Sequence, residues 1–308
     1  MKNTATIQEP SGVLIVNKHA GVTSHDIVGR IRRLYNTRRV GHTGTLDPMA
    51  TGVLVVLIGR AAKACEYLVS DSKRYRATLR LGLTTDTEDT TGTVLTTSES
   101  CPDFAALEAI LPRFRGKIQQ IPPMYSALKV GGKKLVDLAR EGQVIERAPR
   151  EIEIFELTVA PTALPTDHVL DVCCSGGTYI RTLCADIGEA LGCGGVMAAL
   201  ERTEACGFPI KDAFTVEQLE AMSEEERLSL LRPTESLFST LPAVRLPSFY
   251  EKLCRSGCEI YLRKLGVSLP ICTQVRICDE NGVFFAIGEV REYENGAAVK
   301  ATKTFVLN

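Results

Sequence analysis

Gly41-His42-Thr43-Gly44-Thr45-Leu46-Asp47-Pro48-Met49-Ala50-Thr51-Gly52 is the stretch on which the reading of this chain turns. Gly41, Gly44 and Gly52 bracket a single aspartate that is followed by proline. Glycine permits unusual backbone angles and lets a ligand approach the main chain. Pro48 fixes the backbone directly after the carboxylate. Taken alone, Asp-Pro is a common turn dipeptide, and the loop reads as a structural turn. The segments on either side decide whether Asp47 is more than that.

Upstream, Gly12 to Val16 reads as a short buried strand, and Thr23 or Ser24 caps a helix. Ile27, Val28, Ile31, Leu34 and Tyr35 share one face of that helix, with Arg30, Arg32 and Arg33 off the stripe. Downstream, Val53 to Ile58 reads as a central strand and Lys63 to Val69 as helical. Tyr75 to Leu83 alternates apolar and polar residues, the pattern of a half-buried strand. Residues 84–102, rich in Thr, Ser and Asp, predict a loop or hairpin, and a helix is expected near Phe104 to Phe114. Ile118 to Leu138, with Pro122-Pro123 and Gly131-Gly132 among lysines, reads as an extended, basic, partly mobile excursion. Ile152 to Val159 and His168 to Cys174 read as strands, and Thr178 to Leu191 as an amphipathic helix. Thr215 with Gln218 and Ser223 with Glu226 fit capping boxes of two short helices.

After about Leu241 the texture changes. Val275 to Cys278, Val283 to Ile287, Ala298 to Ala301 and Thr304 to Leu307 are short apolar segments separated by Asn-Gly turns, a strong hairpin signal. The expected division is 10–238 for a larger unit and 239–308 for a β-rich appendage. There is no internal repeat and no regular βαβ alternation, so the class is α+β.

The 308 residues are 44% hydrophobic and 24% charged, enough for a sizeable core. No apolar run approaches the ~20 residues of a bilayer span. Met1 to Thr6 lacks the apolar core of a signal peptide, and a soluble, cytoplasmic protein is expected. The 11 cysteines show no repeated paired spacing and read as reduced thiols used as small core residues. The net charge is −1, but its distribution is uneven. Basic residues cluster at 30–39, at Lys73, Arg74, Arg76 and Arg80, and at Lys129, Lys133, Lys134 and Arg140. Three such clusters on a near-neutral chain suit a surface that grips a polyanion.

The Asp47 loop resembles the signature of the TruB family of pseudouridine synthases, and other segments match that family in order. Gly12-Val13-Leu14-Ile15-Val16-Asn17-Lys18 with Gly21-Val22-Thr23-Ser24 resembles its N-terminal motif, and Lys73-Arg74-Tyr75 its tyrosine motif. Pro122-Pro123-Met124-Tyr125-Ser126-Ala127-Leu128-Lys129 resembles the start of its RNA-gripping excursion. Gly176-Gly177-Thr178-Tyr179-Ile180-Arg181-Thr182-Leu183 resembles its arginine motif, and Leu200 with Arg202-Thr203 closes the set. Departures are His19-Ala20 after Lys18 where proline is common, Asn17 for a common aspartate, and Val136 for a common aromatic residue.

The resemblance implies a pseudouridine-synthase fold with a mixed, mainly antiparallel central sheet flanked by helices, and a small PUA-like RNA-binding domain at the C-terminus. It implies isomerisation of uridine-55 in the T-loop of tRNA, by a monomer with no obligate protein partner, no membrane and no metal or other cofactor. Asp47 would be the catalytic carboxylate. Two routes fit: attack on C1′, or removal of a ribose proton to give a glycal. Arg181 would be its partner, since a nearby guanidinium keeps an aspartate ionised and aims it. Tyr75 would stack on the flipped uracil and is a candidate catalytic residue, its hydroxyl open to a part in removing the C5 proton although an ordinary phenol is a poor base at neutral pH; Tyr179 and Leu200 would line the pocket, and His42 would contact the loop that the base vacates. Lys18 and Lys129 would add substrate contacts. Other readings are a non-catalytic tRNA-binding protein on the same scaffold, which has no need of Asp47, and a uridine C5 methyltransferase, which needs a cysteine nucleophile.

Overall fold

The structure is a computed structural model and describes residues 9–68 and 72–306; the expectations for Met1 to Thr6, Val69 and Leu307 lie outside the described residues. The chain opens with β1 (Gly12–Lys18), α1 (Ser24–Leu34), β2 (Val40–His42) and β3 (Thr51–Ile58). Thr23 caps α1 in a capping box with Asp26, and Ile27, Val28 and Ile31 face the core as their spacing predicts. A 3-10 segment, Gly59–Tyr67, stands where an α-helix near 63–69 was expected.

β4 (Lys73–Leu81) follows, then the hairpin of β5 (Leu83–Thr85) and β6 (Val94–Thr97). The expected helix at 104–114 is α2 (Phe104–Ile110) running into a 3-10 turn at Pro112, whose missing N–H interrupts the α-helical ladder. β7 (Gly116–Gln120) is an edge strand of the main sheet, so the excursion begins later than the sequence suggested. It is not simply extended either. The small hairpin β8 (Lys129–Val130) and β9 (Lys133–Lys134) leads into α3 (Leu135–Arg140), and Leu135 and Leu138 pack with Met124 in a core of their own.

β10 (Arg150–Pro161), β11 (Asp167–Cys174), α4 (Ile180–Ala190), β12 (Gly195–Ala205) and β13 (Phe208–Pro209) complete the main sheet. Its order is β1-β3-β12-β4-β11-β10-β7, with β2 added to β3 and β13 to β12. Every pairing is antiparallel except β3 with β12, so the sheet is mixed and mainly antiparallel. β12, an interior strand between β3 and β4, has no counterpart in the sequence reading. Its Ala-, Glu- and Arg-containing sequence carries little strand propensity, and burial between β3 and β4 overrides it.

β1 and β3 are buried on both faces, which is why they read as continuous apolar runs. Leu14, Val16, Leu54 and Val56 meet α1 on one side. Val13, Ile15, Val55 and Leu57 on the other side share a core with Phe284, Ile287 and Phe305 of the C-terminal region. α2 and α4 cover the β4–β11–β10 part through Leu79, Leu107, Leu170, Leu183 and Ile187. α5 (Val216–Ala221) and α6 (Glu224–Ser229) carry the two expected capping boxes.

The C-terminal region forms a β-rich unit of its own. β14 (Ala243–Arg245), β15 (Ile260–Tyr261), β16 (Gln274–Cys278), β17 (Phe284–Tyr293) and β18 (Gly296–Thr304) make a sheet of order β14-β16-β17-β18-β15. α7 (Ser248–Arg255) and α8 (Leu262–Leu265) pack on it. Among the described residues, no helix is long and apolar enough to cross a membrane.

Candidate active site

Asp47 stands in the loop from β2 to β3, at the floor of a cavity of about 450 Å³. The loop is pinned on both sides of the carboxylate. Ser24 Oγ accepts from Leu46 N at 2.8 Å and donates to Leu46 O at 3.1 Å. Lys18 is completely buried, and its ammonium donates to the carbonyls of His19, Pro48 and Ala50. Burial lowers the Lys18 pKa to about 8, with the nearby Asp47 opposing that effect and Arg202 adding to it. Gly52 has φ +100°, and a Cβ there would lie 2.3 Å from the Arg202 carbonyl, so the parallel pairing of β3 with β12 requires glycine at this position.

Arg181, in the first turn of α4, approaches the Asp47 carboxylate side-on. Nε lies 2.9 Å from Oδ2 and Nη2 lies 3.3 Å from Oδ1. The guanidinium side chain is 5% exposed and the carboxylate side chain 35%, so the arginine is fixed from behind while Asp47 faces the cavity. Nη1 donates to Thr87 O at 2.9 Å and Nη2 to Tyr125 O at 2.8 Å, and Asp89 Oδ2 lies 3.9 Å from Nε. These contacts occupy four of its five N–H donors and hold the cation in one orientation.

Tyr75 on β4, Tyr179 just before α4, and Leu200 on β12 line the same cavity. Burial pushes both phenols up, and the Arg202 guanidinium opposes this at Tyr75. The Tyr179 backbone is clamped by the buried Gln120 amide, which donates to its carbonyl at 3.0 Å and accepts from its N–H at 2.8 Å. The remaining wall comes from the excursion, through Tyr125, Ser126, Ala127, Leu128 and Val136.

The structure thus brings Asp47, Tyr75, Tyr179, Arg181 and Leu200 to one cavity. Three other candidates stand apart from its lining. His42 braces the loop from behind, its Nδ1 accepting from Gly44 N at 3.3 Å, and burial holds its pKa down. Lys18 lies beneath the loop, and Lys129 is exposed on β8. Sequence reasoning assigned no role to Arg202 or Gln120, and took Lys73 only as part of a basic cluster and Ser24 only as a candidate helix cap. Lys73 and Arg202 stood inside quoted motifs and line the cavity. Nothing in the sequence marks Gln120, because its partner is a backbone 59 positions away.

Two family profiles cover the chain in succession. The one described as TruB family pseudouridylate synthase (N terminal domain) matches residues 32–180. The one described as tRNA pseudouridylate synthase B C-terminal domain matches residues 181–239. Relatives named tRNA pseudouridine synthase B include one from Alkaliphilus oremlandii, 46% identical over 92% of this chain and 95% of its own. Another, from Francisella tularensis subsp. novicida, is 42% identical over 91% of both chains. Among solved structures, a Cbf5-Nop10-Gar1 complex aligns with a TM-score of 0.73 at 24% identity, over 96% of this chain and 85% of that one. An H/ACA RNP bound to a substrate RNA containing 2′-deoxyuridine aligns with a TM-score of 0.72 at 22% identity, over 96% and 85%. These structural likenesses speak for the fold, and the sequence identities, which extend over nine-tenths of both chains, place this chain in the TruB family of pseudouridylate synthases.

Proposed function

We propose that this chain isomerises uridine-55 in the T-loop of tRNA to pseudouridine, with Asp47 as the carboxylate that acts on the ribose. The observation that carries the reading is the side-on Arg181–Asp47 pair at 2.9 Å, on the floor of a cavity walled by Tyr75, Tyr179 and Leu200. The name tRNA pseudouridine synthase B borne by the relatives supports tRNA as substrate. The ordered motif resemblance supports the T-loop uridine.

A stacked base has to be turned out before its glycosidic bond can be reached. In the cavity, uracil stacks on Tyr75, with Tyr179 and Leu200 beside it. The C1′–N1 bond breaks with its electron pair going to the base, while Asp47 bonds C1′ or removes a proton from C2′. The base then turns and C5 bonds C1′, as the Asp47–C1′ bond breaks or as Asp47 returns its proton to C2′; the C5 proton leaves and N1 gains a proton. Atoms and electrons balance without an outside reactant. Tyr75 stacks on the base; burial raises its phenol, which opposes its use as a proton acceptor at neutral pH. His42, the last residue of β2, acts by bracing the Asp47 loop through Gly44. Lys129 and its basic neighbours on the excursion, with the arginines of α1, contact phosphates. The C-terminal β-rich unit acts as a PUA-like RNA-binding surface.

Tritium release from C5 of the target uridine in a T-arm hairpin tests the reading. Wild-type protein should release it without S-adenosylmethionine. Asp47→Asn and Asp47→Ala should lower the rate by at least about 1,000-fold while binding RNA nearly as well. Full activity in either variant sinks the mechanism. A uridine methyltransferase would need a cysteine at the base, and no cysteine is among the described residues that line the cavity.

A further inference from the structure

Arg202 is 1% exposed and lies on β12 directly opposite Tyr75, its partner in the β4–β12 register. Its Nε donates to Val53 O at 2.6 Å and its Nη2 to Gly44 O at 3.0 Å. The guanidinium stands beside the Tyr75 hydroxyl. All of these partners are neutral. Among the described residues, no carboxylate lies within ion-pair distance of Arg202. Arg181, the other deeply buried arginine among the described residues, has Asp47 at 2.9 Å and Asp89 at 3.9 Å. A buried charge without an opposite charge is costly. Stapling two carbonyls does not require it, since a neutral amide donor would do that. The uncompensated charge acts on its surroundings: it helps to lower Lys18 and His42. It also lines the cavity.

We propose that Arg202 is a second catalytic cation, whose anionic partner is the uracil ring at the moment its bond to ribose breaks. The inference rests on the reading of Asp47 given above, but not on the choice of route. If Asp47 bonds C1′, the carboxylate loses its charge to an ester; if it removes a ribose proton, it becomes a neutral acid. In both cases one negative charge moves from Asp47 to the departing base, spread over N1, the carbonyl oxygens and C5. Arg181 is fixed on the carboxylate, where the charge starts. Arg202 is fixed on the Tyr75 side, where the stacked base receives it. A cation already fixed in place stabilises such developing charge without reorganising.

Arg202→Gln keeps an N–H donor near the two carbonyls and removes the charge. In single turnover on a T-arm hairpin, the expected rate falls by about 100-fold or more, with hairpin affinity and melting temperature near wild type. The same hairpin with 5-fluorouridine at the target position separates charge from geometry. Fluorine withdraws electrons and stabilises the departing ring anion by itself, so the defect should shrink on that RNA, read by nucleoside analysis of the digested product. A misplaced loop would slow both RNAs by the same factor. An equal defect on both RNAs, or a near-wild-type rate on uridine, overturns the proposal. Should Arg202→Gln not fold, the charge-retaining Arg202→Lys carries the same comparison: a smaller defect that again shrinks with fluorine supports the role, and equal defects overturn it. Wild-type protein inactive on the uridine hairpin would instead overturn the reading of Asp47, and this inference with it.

Discussion

The Asp47 loop and the excursion between β7 and β10 line the same cavity, yet they are held in opposite ways. The loop is tied from beneath by Lys18, Ser24 and Arg202, and leads into β3, which with its partner β1 is buried on both faces. The excursion has a core of Met124, Leu135 and Leu138 and reaches the body through few contacts. These include the Tyr125 carbonyl on Arg181 and the Tyr125 hydroxyl, which donates to Asp86 at 3.2 Å. Its outer face carries Lys129, Lys133 and Lys134, and Val144 is 81% exposed. Chemistry on a ribose needs a carboxylate whose position does not drift. Gripping an RNA loop needs surface with charge and little internal cohesion, the low-stability end of a fold.

Substitutions can break or sharpen this contrast. The largest expected effect is at the loop. Lys18→Met leaves the carbonyls of His19, Pro48 and Ala50 without their charged donor. It should cost about 2–3 kcal/mol of global stability and also lower kcat, because Pro48 and Ala50 set the course of the chain at Asp47. Thermal denaturation and tritium release read the two effects; an unchanged melting temperature would mean that the loop is not held from below. Leu138→Ala should cost about 2 kcal/mol within the excursion core. The global melting temperature should hold while KM for the hairpin rises and kcat stays near wild type. A fall in melting temperature matching that of Lys18→Met would show the excursion to be part of the cooperative core. The smallest effect belongs to Lys129→Ala, which should weaken hairpin binding a few-fold and reduce the slope of log affinity against log salt by about one. An unaltered slope would remove Lys129 from the phosphate contacts.

Local patterns in the chain suffice for most of the framework. The alternation of β4, the stripe and cap of α1, the two capping boxes of α5 and α6 and the Asn-Gly turns of the C-terminal sheet depend on residues within a few positions of one another. β12 escaped because its strand character comes from neighbours on β3 and β4 and not from its own residues. Arg202 escaped with it. The excursion's helix was masked by the prolines, glycines and lysines that precede Leu135.

By itself, then, the sequence determined the α+β class, the β-rich C-terminal unit and the loop in which Asp47 stands, since periodicity and turn chemistry act over short stretches and the motifs stand in a fixed order. The motif resemblance named Arg181 as the partner of Asp47; tertiary structure alone decided the side-on geometry in which they meet across 134 positions, and that Lys18 and Arg202 close beneath the same loop. It also placed His42 behind the loop and outside the cavity lining. Which cation faces a carboxylate and which only carbonyls is settled by packing across strands distant in sequence, and no local pattern records it.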